Sequence, residues 1–135
     1  MTNRLAQIGA DGETLVASYL ESQGATIIAR NWRIKGGEID LVARLNGILL
    51  FVEVKSRSSA KFGHPLEAIN SEKAFRLQRL ALAWISMHDQ WGADYRIDCA
   101  AVHFRQGLKP EVEYRAGVSS ATCSSKKHCP RWFAR

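Results

Sequence analysis

Gly36–Arg57, GGEIDLVARLNGILLFVEVKSR, is the stretch whose reading decides the fold. Two apolar runs flank Asn46-Gly47. Asn-Gly favours a two-residue type I′ turn, because both central residues of that turn take positive φ. With Asn46 and Gly47 as the loop, Leu45 faces Ile48. Counting outward, Asp40 then lies opposite Glu53. Alternation puts Glu38, Asp40 and Val42 on one face with Phe51, Glu53 and Lys55. Ile39, Leu41 and Ala43 share the other face with Leu50, Val52 and Val54. One extra residue in either strand would shift this register and undo the facing pair.

Such a pair is costly unless something compensates it. Facing Cβ atoms lie about 4.5–5.5 Å apart, and like charges directly opposite destabilise a sheet. Two carboxylates at that separation need a shared proton or a cation. Mg²⁺ (or Mn²⁺) is suited to the task, since a hard divalent ion takes oxygen ligands and is held by one or two carboxylates plus waters and substrate phosphate. Lys55 points the same way as Glu53. The competing reading is a solvated sheet face on which Lys55 neutralises the acids, and the apolar neighbours argue against it.

Asp40, twelve intervening residues, then Glu53-x-Lys55 is also a known order. It resembles the PD-(D/E)XK superfamily of restriction-endonuclease-like nucleases. The closer likeness is to the YraN-like family of uncharacterised bacterial proteins, related to archaeal-type Holliday junction resolvases. The matching text is Gly9-x-x-Gly12-Glu13, Tyr19-Leu20, Gly24, Arg30-Asn31, Gly37-Glu38-Ile39-Asp40-Leu41-Val42, Phe51-Val52-Glu53-Val54-Lys55-x-Arg57 and Phe62-Gly63. Lys73 and Asp98 match as well, and the likeness covers about residues 4–115. Ile39 stands where the superfamily's name has Pro. The resemblance implies an α/β restriction-endonuclease-like core, a mixed β-sheet with a central hairpin flanked by helices. It implies a catalytic set of Asp40, Glu53, Lys55 and Glu13. Asp40 and Glu53 would hold the metal, with Glu13 as a further ligand or water anchor. It also implies nucleic acid as partner, DNA ahead of RNA, and a homodimer that engages two strands symmetrically.

Composition bounds these expectations. A chain of 135 residues is long enough to bury one core. Its 46% hydrophobic and 24% charged content is that of an ordinary globular domain, which excludes the disordered and collagen-like classes. No apolar run reaches transmembrane length, so no membrane partner is expected. The start, MTNRLAQIGADGETL, has no apolar signal-like run, and three cysteines in no tight framework fit a reducing, cytoplasmic setting. Net charge is +6, which points weakly to nucleic acid. Four of the basic residues, Lys126, Lys127, Arg131 and Arg135, lie in an acid-free, Ser-rich end. The expected organisation is therefore a nuclease-like domain over 1–115 and a disordered basic tail over 116–135. Cys123, His128 and Cys129 in that tail lack a paired-cysteine spacing and a fourth ligand, so they make a poor zinc site.

Periodicity fills in the rest. Residues 4–22 read as a helix with Leu5, Ile8, Val16, Tyr19 and Leu20 on its stripe and Gly24 as its stop. Glu13 sits beside that stripe, where an isolated Glu is ordinarily solvated, and Gly9 leaves room for a close approach near it. Thr26–Ala29 reads as a short strand. Arg30, Trp32, Arg33 and Lys35 form a basic and aromatic connection that could grip phosphate or simply be solvated, with Trp32 tucked onto the core. The polar loop after Lys55 offers Arg57, Lys61 and His64 to a substrate backbone. Residues 66–88 read as a second helix, its main body from Ser71, that buries Leu77, Leu80, Ala81, Trp84 and Ile85. Its Lys73, Arg76 and Arg79 form either a DNA-facing ridge or a solvated face. Tyr95–Phe104 is a strand, and Val112–Arg115 a last edge strand. Asp98 suggests no chemistry beyond capping or tethering a loop.

Three functions compete. A metal-dependent DNA nuclease, acting on branched or structured DNA, requires Asp40 and Lys55 for cutting. A nucleic-acid-binding module of the same fold would bind without turnover. A partner-binding protein would use the acids only to hold a stabilising ion.

Overall fold

The computed structural model describes residues 4–57 and 71–117, with side chains over 11–57 and 72–117. Lys61, His64 and the Phe62-Gly63 pair lie outside the described residues, as does the tail beyond Gly117 with its cysteines and His128.

Helix α1 (Arg4–Ser22) is followed by strands β1 (Thr26–Ile34), β2 (Gly37–Leu45) and β3 (Ile48–Arg57), helix α2 (Ser71–Met87), and strands β4 (Asp94–His103) and β5 (Glu111–Arg115). The strands form one mixed sheet in the order β1-β2-β3-β4-β5. Only β3 and β4 run parallel, joined by the crossover that contains α2. This is the α/β architecture expected, consistent with a restriction-endonuclease-like core.

Local chemistry explains the boundaries. Asn46 and Gly47 take φ of 52° and 79°, as a type I′ turn requires, and Leu45 pairs with Ile48. Helix α1 closes in a Schellman motif: Ala25 N–H donates to the Leu20 carbonyl and Gly24 N–H to that of Glu21, each at 3.0 Å, with Gly24 left-handed. Helix α2 ends the same way, with Gln90 N–H on the Ile85 carbonyl and Asp89 in the left-handed position.

Each helix covers one face of the sheet. On the α1 side, Val16, Ala17 and Leu20 pack on Leu41, Ala43, Leu50, Val52, Ala100 and Val102. On the α2 side, Leu77, Leu80, Ala81, Trp84 and Ile85 pack on Ile39, Val42, Leu49, Phe51, Tyr95 and Ile97. Phe51 meets Trp84 and Tyr95 edge to face, with centroids 5.7 and 5.9 Å away.

Two expectations change. The connection Asn31-Trp32-Arg33 belongs to β1, which runs on to Ile34. Trp32 packs on the α2-side core and stands edge-on to His88. Ile39 does not share a face with Leu41 either. Ile39 and Val42, three residues apart, both face α2 while Leu41 faces α1. The cause is an interruption shared by two strands. The β1–β2 ladder pairs Arg30 with Leu41 and Trp32 with Ile39, leaving Asn31 and Asp40 out of it, and Asn31 has φ of 52°. A left-handed residue rotates the strand and so breaks the period-2 alternation.

Candidate active site

Strands β2 and β3 part where the acids begin. Their ladder ends at Leu41↔Val52. The Val54 N–H, which points toward β2, donates instead to Asp40 Oδ2 at 2.8 Å. The expected direct facing of Asp40 and Glu53 is thus replaced by a splayed fork. The interruption at Asn31 and Asp40 turns the Asp40 carboxylate into the gap, where it substitutes for a backbone acceptor.

Burial pushes the Asp40 carboxyl up to about 6, and Glu13, Glu53 and Glu38 add to the rise while the Val54 N–H opposes it. Glu13 reaches this neighbourhood from α1. Its carboxyl is raised, first by burial, against a hydrogen bond from Asn31 and the charge of Arg30. A Cβ added at Gly12 would collide with the Ser56 hydroxyl of β3, so the absence of a side chain lets the helix approach that closely. Close approach in this helix is therefore documented at Gly12; the surroundings of Gly9 lie outside the described side chains.

Glu53 faces the α2 side. Its Oε1 is 3.6 Å from Lys55 Nζ and equally far from Lys73 Nζ, and all three side chains are largely buried. Its Oε2 is buried and accepts no hydrogen bond among the described residues. The Lys73 ammonium is lowered, first by burial and then by the adjacent Lys55. The sequence places Lys73 on a candidate DNA-facing ridge. Its reach to Glu53 is not legible there, because the crossover that brings α2 over β3 leaves no local signal.

The other candidate residues are dispersed. Arg33 pairs with Glu38 across the β1–β2 ladder at 2.7 Å, and Arg30 donates to Thr14 Oγ1 at 3.0 Å. Lys35 is exposed in the turn between β1 and β2, and Arg57 is exposed at the end of β3. Arg76 is exposed on α2. Asp98 is wholly buried and accepts four hydrogen bonds: two from Arg96, one from Tyr114 Oη and one from Gly117 N–H. It is a tether for β5 and the residues after it, the role its sequence suggested. Cys99, beside Glu53 in the β3–β4 ladder, has its thiol pushed up to about 12 by burial and then by Glu53, which makes it a poor nucleophile.

Fold and site together define a mixed α/β protein with a restriction-endonuclease-like core, carrying acids and lysines where its central strands diverge. The model of the uncharacterised protein family UPF0102 matches residues 12–102, and the chain belongs to that family, as the YraN-like resemblance implied. A UPF0102 protein of Leifsonia xyli is 42% identical over 112 residues, covering 83% of this chain and 95% of its own. One of Beutenbergia cavernae is 47% identical over 111 residues, covering 82% and 94%. No helix among the described residues is long and apolar enough to cross a membrane.

Proposed function

We propose that this protein is a divalent-metal-dependent nuclease that hydrolyses phosphodiester bonds in DNA, with branched or otherwise structured DNA as its substrate. One observation carries this reading. A buried carboxylate oxygen of Glu53 has no hydrogen-bond partner among the described residues, beside an Asp40 whose ionisation burial and three acids oppose. A cation between them relieves both. The donor set suits Mg²⁺ or Mn²⁺, for which two carboxylates completed by waters and substrate phosphate suffice. Among the described residues, no three His, Cys, Asp or Glu side chains gather closely enough to hold an ion. Asp40 and Glu53, with the Val54 carbonyl, would therefore hold it, and Glu13 would anchor a water.

When bound, the metal supplies polarisation of a phosphoryl oxygen and acidification of a water. Lys55 and Lys73, each 3.6 Å from Glu53, offer positive charge to the phosphate as negative charge builds on it. Water supplies the oxygen that replaces the leaving oxygen on phosphorus. The side chains of Glu53, Lys73 and Lys55 are only 14%, 20% and 21% exposed, which keeps these charges in a poorly solvated setting.

The test is cleavage of labelled single strand, duplex, flap and four-way junction with Mg²⁺ or Mn²⁺. Asp40→Ala and Lys55→Ala should each lower the rate by roughly a hundredfold or more. Equal cutting by wild type and Asp40→Ala would sink the proposal. The absence of a third gathered ligand among the described residues favours one rival, a binding module of the same fold. Its signature is salt-sensitive binding without cutting that survives Asp40→Ala.

A further inference from the structure

Helix α2 carries a feature that the metal site does not use. Phe75 is 54% exposed, on a helix that buries Leu77, Leu80, Trp84 and Ile85 and otherwise exposes a large apolar side chain at Met87, its last residue. An exposed aromatic ring on an otherwise amphipathic helix costs apolar hydration, and it is surrounded by charge. A cavity of about 470 Å³ has Glu72, Lys73, Phe75, Arg76 and Arg79 as its described lining. Three of those five residues are cations, and one of them, Lys73, also reaches Glu53. The cavity and the acidic fork are thus joined through a single side chain.

Resting on the nuclease reading, we propose that this cavity binds a single-stranded or unpaired stretch of the substrate, one base stacking on Phe75 while Arg76 and Arg79 hold the flanking phosphates. The ring supplies a π-face that any base can use, and the arginines supply backbone contacts that carry no sequence information. Within an intact duplex both faces of a base are already stacked on its neighbours, so Phe75 gains nothing there. The strand that satisfies the helix must have a base free to leave its stack, as at a flap, a gap or the arm of a junction. From Arg76 the backbone can pass Lys73 toward Glu53, which sets cleavage close to the unpaired segment.

Anisotropy of a labelled single-stranded DNA, its duplex and the matching single-stranded RNA, measured with the full chain in EDTA, tests this without cleavage. Phe75 is exposed, so Phe75→Ala should fold as wild type does, which circular dichroism checks. Phe75→Ala should weaken single-strand binding roughly tenfold and duplex binding less than about twofold. Phe75→Trp should retain affinity, and Phe75→Leu should fail as Ala does, because it keeps bulk but loses the π-face. An equal loss on the RNA strand supports the proposal and makes strandedness, not the sugar, the feature Phe75 reads; a loss confined to DNA supports it with DNA as the ligand. Equal losses on single strand and duplex, or full affinity with Leu, would overturn it. Should Arg76→Ala weaken binding while Phe75→Ala leaves it unchanged, stacking is wrong but the nucleic-acid reading stands. Should wild type bind none of the three, this proposal falls, while the nuclease reading is decided separately by the metal-dependent cleavage of flap and junction.

Discussion

At the scale of single residues, Asp40 shows a carboxyl held where its charged form costs stability. Its carboxyl is shifted from 3.8 to about 6 in the folded chain, chiefly by burial. A raised carboxylate pKa means that the folded state binds the proton more tightly than the unfolded state. The contribution of Asp40 to stability is therefore greatest below the unfolded value and declines as pH rises from about 4 through about 6. The whole shift amounts to about 3 kcal/mol by the usual conversion. Asp40→Asn keeps an acceptor for the Val54 N–H and removes the charge. In EDTA at about pH 8 it should raise Tm by several degrees, and near pH 4 the two proteins should melt together; calorimetry across that range measures both. Equal Tm values at the alkaline end would mean that the fork is wet enough to hold the charge at no cost. Glu53 poses the same question in another form, since Lys55 and Lys73 share one of its oxygens and leave the other unpartnered among the described residues.

Among the elements, the hairpin is legible in the sequence and its end is not. Asn46-Gly47 dictates a turn whose register follows by counting, and the pairs from Leu45↔Ile48 to Leu41↔Val52 obey it. The count fails one step later, because the disturbance comes from β1, where Asn31 goes left-handed and takes Asp40 out of the β1–β2 ladder. Nothing in the sequence of β2 announces that. The candidate site is legible as residue types, Asp40, Glu53 and Lys55, but its geometry depends on a neighbouring strand and on a helix delivered by a crossover. Helix α1 illustrates the same limit: Gly12 stands in the sequence as part of a matching pattern, while its reason is Ser56 on β3. That close approach gives a double-mutant prediction. Gly12→Ala gains about 1 kcal/mol of helix propensity but forces a Cβ onto the Ser56 hydroxyl, so overpacking of about 1–3 kcal/mol should dominate. Ser56→Ala removes a buried oxygen that lacks a hydrogen-bond partner among the described residues, so it should be close to neutral alone. In the Ser56→Ala background, Gly12→Ala should then turn neutral or stabilising. Urea midpoints of the four proteins measure the coupling, and additive effects would show that helix and strand adjust independently.

For the whole molecule, the distribution of charge matters more than its sum. Of the net +6, the acid-free end after Arg115 supplies four, so residues 1–115 carry only +2. A weak overall field cannot hold a polyanion by itself, and any affinity of these residues must come from local arrangement. Arg76 and Arg79 on α2 are exposed, whereas Arg33 is engaged by Glu38 and Arg30 by Thr14. If phosphates lie on α2, removing one arginine–phosphate pairing should reduce the steepness with which affinity falls with salt by about 0.7 for a single strand. Replacing Arg76 and Arg79 together by Ala should flatten the plot of log affinity against log salt by about 1.4. Phe75→Ala should lower the same line without changing its slope, because stacking releases no counterions. Titrations of the full chain at several salt concentrations separate the two effects in one experiment. An unchanged slope in the double variant would remove α2 from the phosphate path and shift the electrostatic binding to the basic end of the chain.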